Sequence, residues 1–231
     1  MMSATYSALG RLLTYPDADL QASAEELAAV IRADGRVPVR IQKALNRLVE
    51  DLKGGDIYSL QEQYVDLFDR SRSLSLNLYE HVHGESRDRG EAMAGLLELY
   101  RSEGLELATS ELPDHLPVFL EFLSLLPADR AASLLGEAAH VLEAIGERLH
   151  RRGSSYRSVF GALAALAGAA DAAAVAALLS EPDPDPDDLT ALDEAWEDTP
   201  VTFGPDDVGC PKADALVAAM NTPSAQRPSA A

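Results

Sequence analysis

The stretch Glu111-Leu-Pro-Asp-His-Leu-Pro117 leads into a run of leucine and phenylalanine and is the most informative segment of this 231-residue chain. A proline and a short acidic residue ahead of apolar residues with helical spacing predict the start of a helix. Asp114 is suited to cap a helix that begins at His115 or Leu116. That role leaves Glu111 and His115 unexplained, so the segment is also a candidate to position a loop or to bind a peptide.

Helical periodicity continues on both sides of this segment. Apolar residues recur three or four positions apart, and Asp56 is placed to cap one of the predicted helices. A single helix is predicted from Leu134 to Arg152, ended by Gly153. Short connections favour neighbours packed antiparallel. The predicted fold class is therefore all-α: a single-domain, antiparallel multi-helix bundle over residues 1–180.

Two stretches depart from simple helical spacing. The leucines between Leu74 and Leu78 alternate with polar residues, which is strand spacing, but a lone strand cannot form a sheet. We expect this stretch to be irregular or helical. The alanine-rich stretch 161–180 is predicted to form one or two closely packed helices, because its longest uncharged run is too short to cross a membrane.

Residues 181–231 are predicted to be an acidic Pro/Asp-rich linker and a flexible tail. Pro182-Asp-Pro-Asp-Pro-Asp187 should be extended, since proline removes backbone donors and like charges repel. Leu189, Leu192 and Trp196 have the spacing of one helical turn that docks back on the bundle. The final residues, rich in proline, serine and alanine, are typical of disorder.

The formal net charge is −19, and residues 180–231 contribute 12 acidic and only 2 basic side chains to it. Such a surface repels phosphate backbones, which argues against nucleic acid as a partner. It also lacks the basic clusters that hold proteins to anionic membranes. A basic polypeptide is the partner that this charge favours.

Cys210 is the only cysteine, so no disulfide forms within the chain and a cysteine-rich zinc site is excluded. The first residues carry no basic region followed by an apolar core, so no signal peptide is predicted. Together these features predict a cytoplasmic protein with no segment inserted in a membrane.

Glu80, His81, His83 and Glu85 form the densest polar cluster in the sequence. A metal-dependent enzyme is one interpretation. However, two histidines two positions apart point in nearly opposite directions on a helix, whereas helical ligand pairs lie three or four positions apart. No nucleophile elbow and no nucleotide-binding loop is present either. We therefore assign no catalytic residue, no metal and no cofactor.

Two short motifs and one long run together resemble a known family. Tyr64-Val-Asp-Leu-Phe68 and Glu111-Leu-Pro-Asp-His115 are similar to elements of the chaperones for molybdenum-cofactor oxidoreductases. The run from Asp66 to Leu76, continued by Tyr79 to Gly90, resembles the NarJ-type assembly chaperones of respiratory nitrate reductase and is far more specific. The resemblance covers roughly residues 5–180.

The resemblance implies a non-catalytic cytoplasmic protein that binds the N-terminal segment of the apo catalytic (alpha) subunit of nitrate reductase. It implies that this subunit is kept competent for insertion of the molybdenum cofactor, and that the chaperone is not part of the mature complex. The motifs place three sets of residues at the peptide: an apolar wall, a polar rim and a pair that holds the adjoining helix or touches the partner. These sets are Tyr64, Leu67 and Phe68; His81, His83, Glu85, Arg87 and Asp88; and Asp114 and His115.

Two alternatives remain open at the level of sequence. One is the metal-dependent enzyme centred on His81, His83 and Glu85. The other is a direct carrier of the molybdenum cofactor, in which a helix N-terminus would hold the pyrophosphate. The enzyme would be purified with a bound metal ion and the carrier with bound molybdenum cofactor, whereas the chaperone would contain neither.

Overall fold

The computed structural model describes residues 4–83 and 87–181. All of these residues belong to one compact unit. Glu85, the predicted linker, the predicted turn around Trp196 and Cys210 lie outside the described residues. The boundary placed at residue 180 stays a prediction.

Eleven α-helices and no strand form in residues 4–83 and 87–181, which confirms the all-α prediction for this part of the chain. Their bounds are α1 Ala4–Leu12, α2 Ala18–Asp34, α3 Val39–Gly54, α4 Ile57–Tyr64, α5 Leu78–His83, α6 Arg87–Ser102, α7 Leu116–Leu125, α8 Ala128–Glu137, α9 Ala139–Arg151, α10 Arg157–Ala167 and α11 Ala172–Ser180. None of these helices is long and apolar enough to cross a membrane.

Local sequence signals set several of the helix ends. The Asp56 carboxylate accepts a hydrogen bond from the backbone N–H of Ser59, 3.0 Å away, so the predicted cap of α4 is confirmed. Gly35 and Gly153 follow α2 and α9 with φ of 76° and 68°, a conformation that other residues adopt only at a cost. Gly153 ends its helix where the sequence predicts, and Gly35 ends α2 in the same left-handed conformation.

The single helix predicted from Leu134 to Arg152 is wrong, because the chain bends at Ala138 (φ −91°, ψ 0°) into α8 and α9. A side chain at Gly136 would lie 3.3 Å from the Ala167 carbonyl oxygen, so the end of α8 is pressed against the end of α10. The bend lets α8 make this contact while α9 packs along the rest of α10.

The alternating leucines after α4 form no regular strand. The chain leaves α4 through a π-helical turn, Val65–Asp69, and a short 3₁₀ turn, Arg72–Leu74. The next residues then pair with the segment before α7 through a single antiparallel bridge between Asn77 and His115. The expectation of irregular or helical structure is met, and the bridge adds a partner that the sequence did not indicate.

The centre of the bundle lies around α1, which packs against α2 on one side and α7 on the other. Tyr6, Leu9 and Leu12 of α1 are fully buried. Gly10 permits the close approach of α7, since a Cβ there would lie 3.2 Å from the Pro117 carbonyl oxygen. On the other side of the core, α9 packs against α10 and α11.

Candidate functional site

The short helix α5 separates two cavities at one end of the bundle. One face of α5 borders a polar pocket, and the other borders an apolar groove. Helix α6 contributes to both, with Arg89 at the pocket and Leu96 and Leu99 at the groove. The long run from Asp66 to Gly90, singled out by sequence, therefore builds the wall between two adjacent recesses.

The polar pocket has a volume of about 400 Å³ and is lined almost entirely by residues of that run. Glu80 and Arg89, both mostly buried, form an ion pair at 3.0 Å across it. Burial acts to raise the pKa of Glu80, but hydrogen bonding by Ser75 and the nearby Arg89 guanidinium outweigh it and lower that pKa. The lining residues are Phe68, Asp69, Arg70, Ser71, Arg72, Ser75, Asn77, Glu80 and Arg89.

The apolar groove has a volume of about 250 Å³ and lies between α5 and α6 on one side and α7, α8 and α9 on the other. Val82 stands at its edge with 51% of its surface exposed. Two ionisable groups, Glu137 and His140, complete a lining that is otherwise apolar or aromatic: Leu78, Tyr79, Val82, Ala92, Gly95, Leu96, Leu99, Phe119, Leu134, Ala138 and Val141. A groove of this chemistry suits the apolar face of a peptide helix.

Asp114 caps α5 and not α7, which corrects the sequence-based expectation. Its Oδ2 accepts a hydrogen bond from the Tyr79 N–H at 3.0 Å, and its carbonyl accepts one from Leu78 at 3.1 Å. Helix α7 has His115 at its N-cap with no side-chain hydrogen bond. Because the capped helix is remote in sequence, the segment before α7 holds the wall between the two cavities in place.

The Asp114 side chain is fully buried, and burial raises its pKa, opposed by the Tyr79 hydrogen bond. Within the described part of the chain, its Oδ1 and the Nδ1 of the neighbouring His115 have no hydrogen-bond partner. Burial lowers the pKa of His115, while the carboxylates of Glu111, Asp114 and Asp69 act in the opposite direction. The nearest oxygen of Glu111 lies 4.0 Å from His115 Nδ1.

The two histidines of α5 lie in different environments. His81 is largely enclosed, and its Nε2 lies 2.8 Å from the Ser75 carbonyl oxygen, which accepts the hydrogen bond. Burial lowers the pKa of His81. His83 instead packs edge-to-face against the Tyr79 ring, with ring centres 5.6 Å apart. The structure therefore does not bring the two imidazoles to one point.

The residues expected to form an apolar wall lie in the interior. Tyr64, Leu67 and Phe68 are buried, and the rings of Tyr64 and Phe68 pack against Tyr156. The Tyr64 hydroxyl donates to the Leu13 carbonyl at 2.8 Å, which ties α4 to the end of α1. Of the three, Phe68 is part of the lining of the polar pocket.

The rest of the expected rim is at the start of α6. Asp88 is exposed in the first turn of that helix, and the backbone of Arg87 begins it. Glu85 lies outside the described residues. In residues 4–83 and 87–181, no three histidine, cysteine, aspartate or glutamate side chains are grouped as metal ligands would be.

Sequence reasoning missed two features of the site. The first is Arg89, which was not among the predicted site residues although it pairs with Glu80 nine positions earlier. The second is Arg148, which is 3% exposed and donates to the carbonyls of Ser73 at 2.9 Å and Leu178 at 2.6 Å. A helix-end arginine looks the same in sequence whether it is solvated or buried, so no sequence signal could have found the second.

The sequence matches the family described as the nitrate reductase delta subunit over residues 16–162. The chain belongs to this family. It is 43% identical over 203 residues to the nitrate reductase molybdenum cofactor assembly chaperone NarJ of Escherichia coli K12, covering 87% of this chain and 85% of that protein.

A second Escherichia coli K12 protein, NarW, described as a probable nitrate reductase molybdenum cofactor assembly chaperone, is 39% identical over 84% of this chain and 81% of its own length. The fold is shared with a crystal structure from Archaeoglobus fulgidus described as that of a putative redox enzyme maturation protein. That match has a TM-score of 0.52 at 24% identity and covers 71% of this chain and 92% of the other. The polar pocket and apolar groove thus belong to a member of the delta subunit family.

Proposed function

We propose that this chain is a cytoplasmic assembly chaperone that binds the N-terminal segment of the apo catalytic subunit of nitrate reductase. It keeps that subunit competent for molybdenum cofactor insertion and leaves before the mature membrane complex forms. The role of NarJ and NarW in their own organism supports the class of function. The observation that carries the proposal is the apolar groove beside α5, built on the run that resembles NarJ-type chaperones.

Helix α6 forms one wall of the groove and can move away from the rest of the bundle. It contributes only Leu96 and Tyr100 to the buried core, although it has 16 residues. A helix held by so few buried side chains opens at low free-energy cost compared with α1 or α9. A peptide helix with apolar residues at positions i, i+3, i+4 and i+7 can then enter between α6 and the bundle.

The polar residues on either side of the groove give the peptide its orientation. His83 and Asp88 flank the point where α5 gives way to α6, and we place Glu85 and Arg87 in the same rim. Glu137 lies on the opposite wall and favours a basic residue of the peptide. Asp114 and His115 act indirectly, by holding α5 in position. The buried residues Tyr64, Leu67 and Phe68 support the polar pocket.

Calorimetry with a synthetic peptide of the reductase catalytic subunit's N-terminal segment tests the proposal. We expect a dissociation constant of about micromolar or tighter between about pH 6 and pH 8. The replacement Val82→Asp puts a charge at the groove edge and should weaken binding by about tenfold or more, since a desolvated carboxylate costs over ~1.4 kcal/mol.

Val39→Asp is the matched control, because Val39 is 66% exposed on α3 and does not line the groove. It should bind as tightly as the unchanged protein. Equal weakening by both variants, or no binding by the unchanged protein, would contradict the proposal. Elemental analysis separates the two alternatives: a stoichiometric tightly held metal favours the enzyme, and molybdenum cofactor on the isolated protein favours the carrier.

A further inference from the structure

A third cavity has no residue of α5 in its lining. It is an open cleft of about 700 Å³ between α3, α9, α10 and α11. Ile41 and Ala44 of α3 and Val175 and Leu179 of α11 give it an apolar floor and sides. The function proposed above makes no use of this cleft.

The charge of the cleft differs from that of the chain. Arg40, Arg151 and Arg157 line it with two acids, Glu143 and Glu147, in a protein whose formal net charge is −19. Glu147 is already paired with Arg151 at 3.2 Å. Arg157 donates to the Nδ1 of His150, a group that carries no negative charge, so this contact does not compensate the charge of Arg157. The cleft is therefore a locally cationic recess with an apolar base.

The described chain ends beside this recess. Helix α11 forms one wall, and its last turn is anchored because the Arg148 guanidinium binds the Leu178 carbonyl at 2.6 Å. Glu181, the last described residue, follows two positions after Leu179 of the cleft wall. The next eight residues, Pro182-Asp-Pro-Asp-Pro-Asp-Asp-Leu189, carry four carboxylates, no basic side chain and a terminal leucine.

We infer that residues 182–189 fold back into the cleft between α3, α9, α10 and α11. The aspartates meet Arg40, Arg151 and Arg157, and Leu189 supplies an apolar contact. An extended proline-rich segment of this length spans about 25 Å. The nine-residue α11 is only about 14 Å long, so the segment has the reach to retrace it. This inference is independent of the proposed function.

The geometry also explains why the chain itself is the favoured occupant. A segment tethered two residues from the cleft wall has an effective concentration of about millimolar or higher. A free acidic peptide would have to reach that concentration to compete, and the acidic surface elsewhere on the protein would slow its approach.

The test is paramagnetic relaxation in the full-length chain. A nitroxide is attached to Pro186→Cys in a Cys210→Ser background, and signal broadening is measured at the methyl groups of Ile41 and Val175. We expect strong broadening in the unchanged cleft. The broadening should fall at least about twofold in Arg40→Gln/Arg157→Gln, because the free-energy difference between the bound and released states of a tethered segment is small. High salt should also reduce the broadening, because it screens the attraction between the aspartates and the arginines.

A control pair keeps the number of lost charges equal. Arg32→Gln/Arg47→Gln removes two exposed arginines of α2 and α3 that do not line the cleft, and it should leave the broadening unchanged. Broadening that is insensitive to the cleft arginines and to salt would overturn the inference. Broadening that depends on protein concentration would also overturn it, because the occupant would then be the segment of a second copy.

Discussion

At the scale of single residues, the site depends on polar side chains that bind backbone groups far away in sequence. Asp114 caps α5 from a position 35 residues later, and Arg148 joins the segment before α5 to the end of α11. Each replaces hydrogen bonds that irregular backbone would otherwise leave unmade. The loss of either side chain therefore exposes a buried backbone group as well as removing a contact.

Arg148→Met should lower the free energy of unfolding by about 3 kcal/mol, because the buried guanidinium donates to the carbonyls of Ser73 and Leu178 and methionine can donate to neither. Urea-induced unfolding followed by circular dichroism measures this. Arg101→Met is the matched control: its side chain is exposed and lies 3.7 Å from Glu98, so its loss should cost less than about 1 kcal/mol. Similar stabilities for the two variants would show that Arg148 is not a structural clamp.

His81 gives the protein a defined response to acid. Burial lowers its pKa in the folded state below the ordinary histidine value of about 6.5, so the unfolded chain takes up a proton first as the pH falls. The free energy of unfolding should therefore be highest above pH 6.5 and decline as the pH falls through that value. Below the folded-state pKa the decline due to His81 stops.

His81→Gln keeps a donor for the Ser75 carbonyl and removes the titration. Urea unfolding at several pH values between about 5 and 8 should show a shallower decline for this variant. A slope unaltered by His81→Gln would assign the acid response to other groups, of which the buried His115 is the first candidate.

At the scale of helices, close packing of α1 on α7 sets the geometry behind the site. Gly10→Ala should raise the free energy of unfolding little or not at all, because the new Cβ would lie 3.2 Å from the Pro117 carbonyl oxygen and 3.3 Å from Leu120. Gly10→Val should destabilise the protein by about 1–3 kcal/mol. Gly95→Ala in α6 has open space around it and should stabilise by about 0.5–1 kcal/mol.

Thermal and urea unfolding of these three variants checks the packing argument. The informative comparison is between the two alanine substitutions, since both gain the same helix propensity. If Gly10→Ala stabilises as much as Gly95→Ala, the approach of α1 to α7 is looser than the structure indicates.

The sequence predicted elements where local signals decide, and it failed where tertiary contacts do. Helix ends at Asp56, Gly35 and Gly153 follow from capping and left-handed backbone conformation, which act within a few residues. The bend at Ala138 has no local breaker at the bend itself and follows from the contact of Gly136 with Ala167. Hydrophobic periodicity is a property of one segment of the chain, so it cannot reveal a contact between two segments.

The same division holds for the candidate site. The motifs pointed to a run, Asp66 to Gly90, whose residues line both the polar pocket and the apolar groove, and the peptide-binding role of its residues stays a prediction. Their arrangement was not predictable: a buried Tyr64 and an exposed Asp88 look equally suited to a binding surface in sequence. Which helix Asp114 caps depends on a pairing between segments that are nearly 40 residues apart.

At the scale of the whole molecule, the excess of acid shapes how a partner approaches. A protein of net charge −19 attracts a basic peptide over a range set by ionic strength. At about 20 mM salt the screening length is over 20 Å, whereas at about 300 mM it is near 6 Å. The association rate of a basic N-terminal peptide should therefore fall by about tenfold between these conditions, while the dissociation rate changes far less.

Stopped-flow fluorescence with a labelled peptide measures both rates. Glu137→Gln removes a carboxylate from the groove wall and should reduce both the association rate at low salt and its dependence on salt. Glu26→Gln removes an exposed charge from α2, which takes no part in the groove, and should change the rate much less. If both substitutions act equally, net charge alone steers the peptide. A larger effect of Glu137→Gln means that the groove itself directs the encounter, which requires the peptide to arrive beside α5.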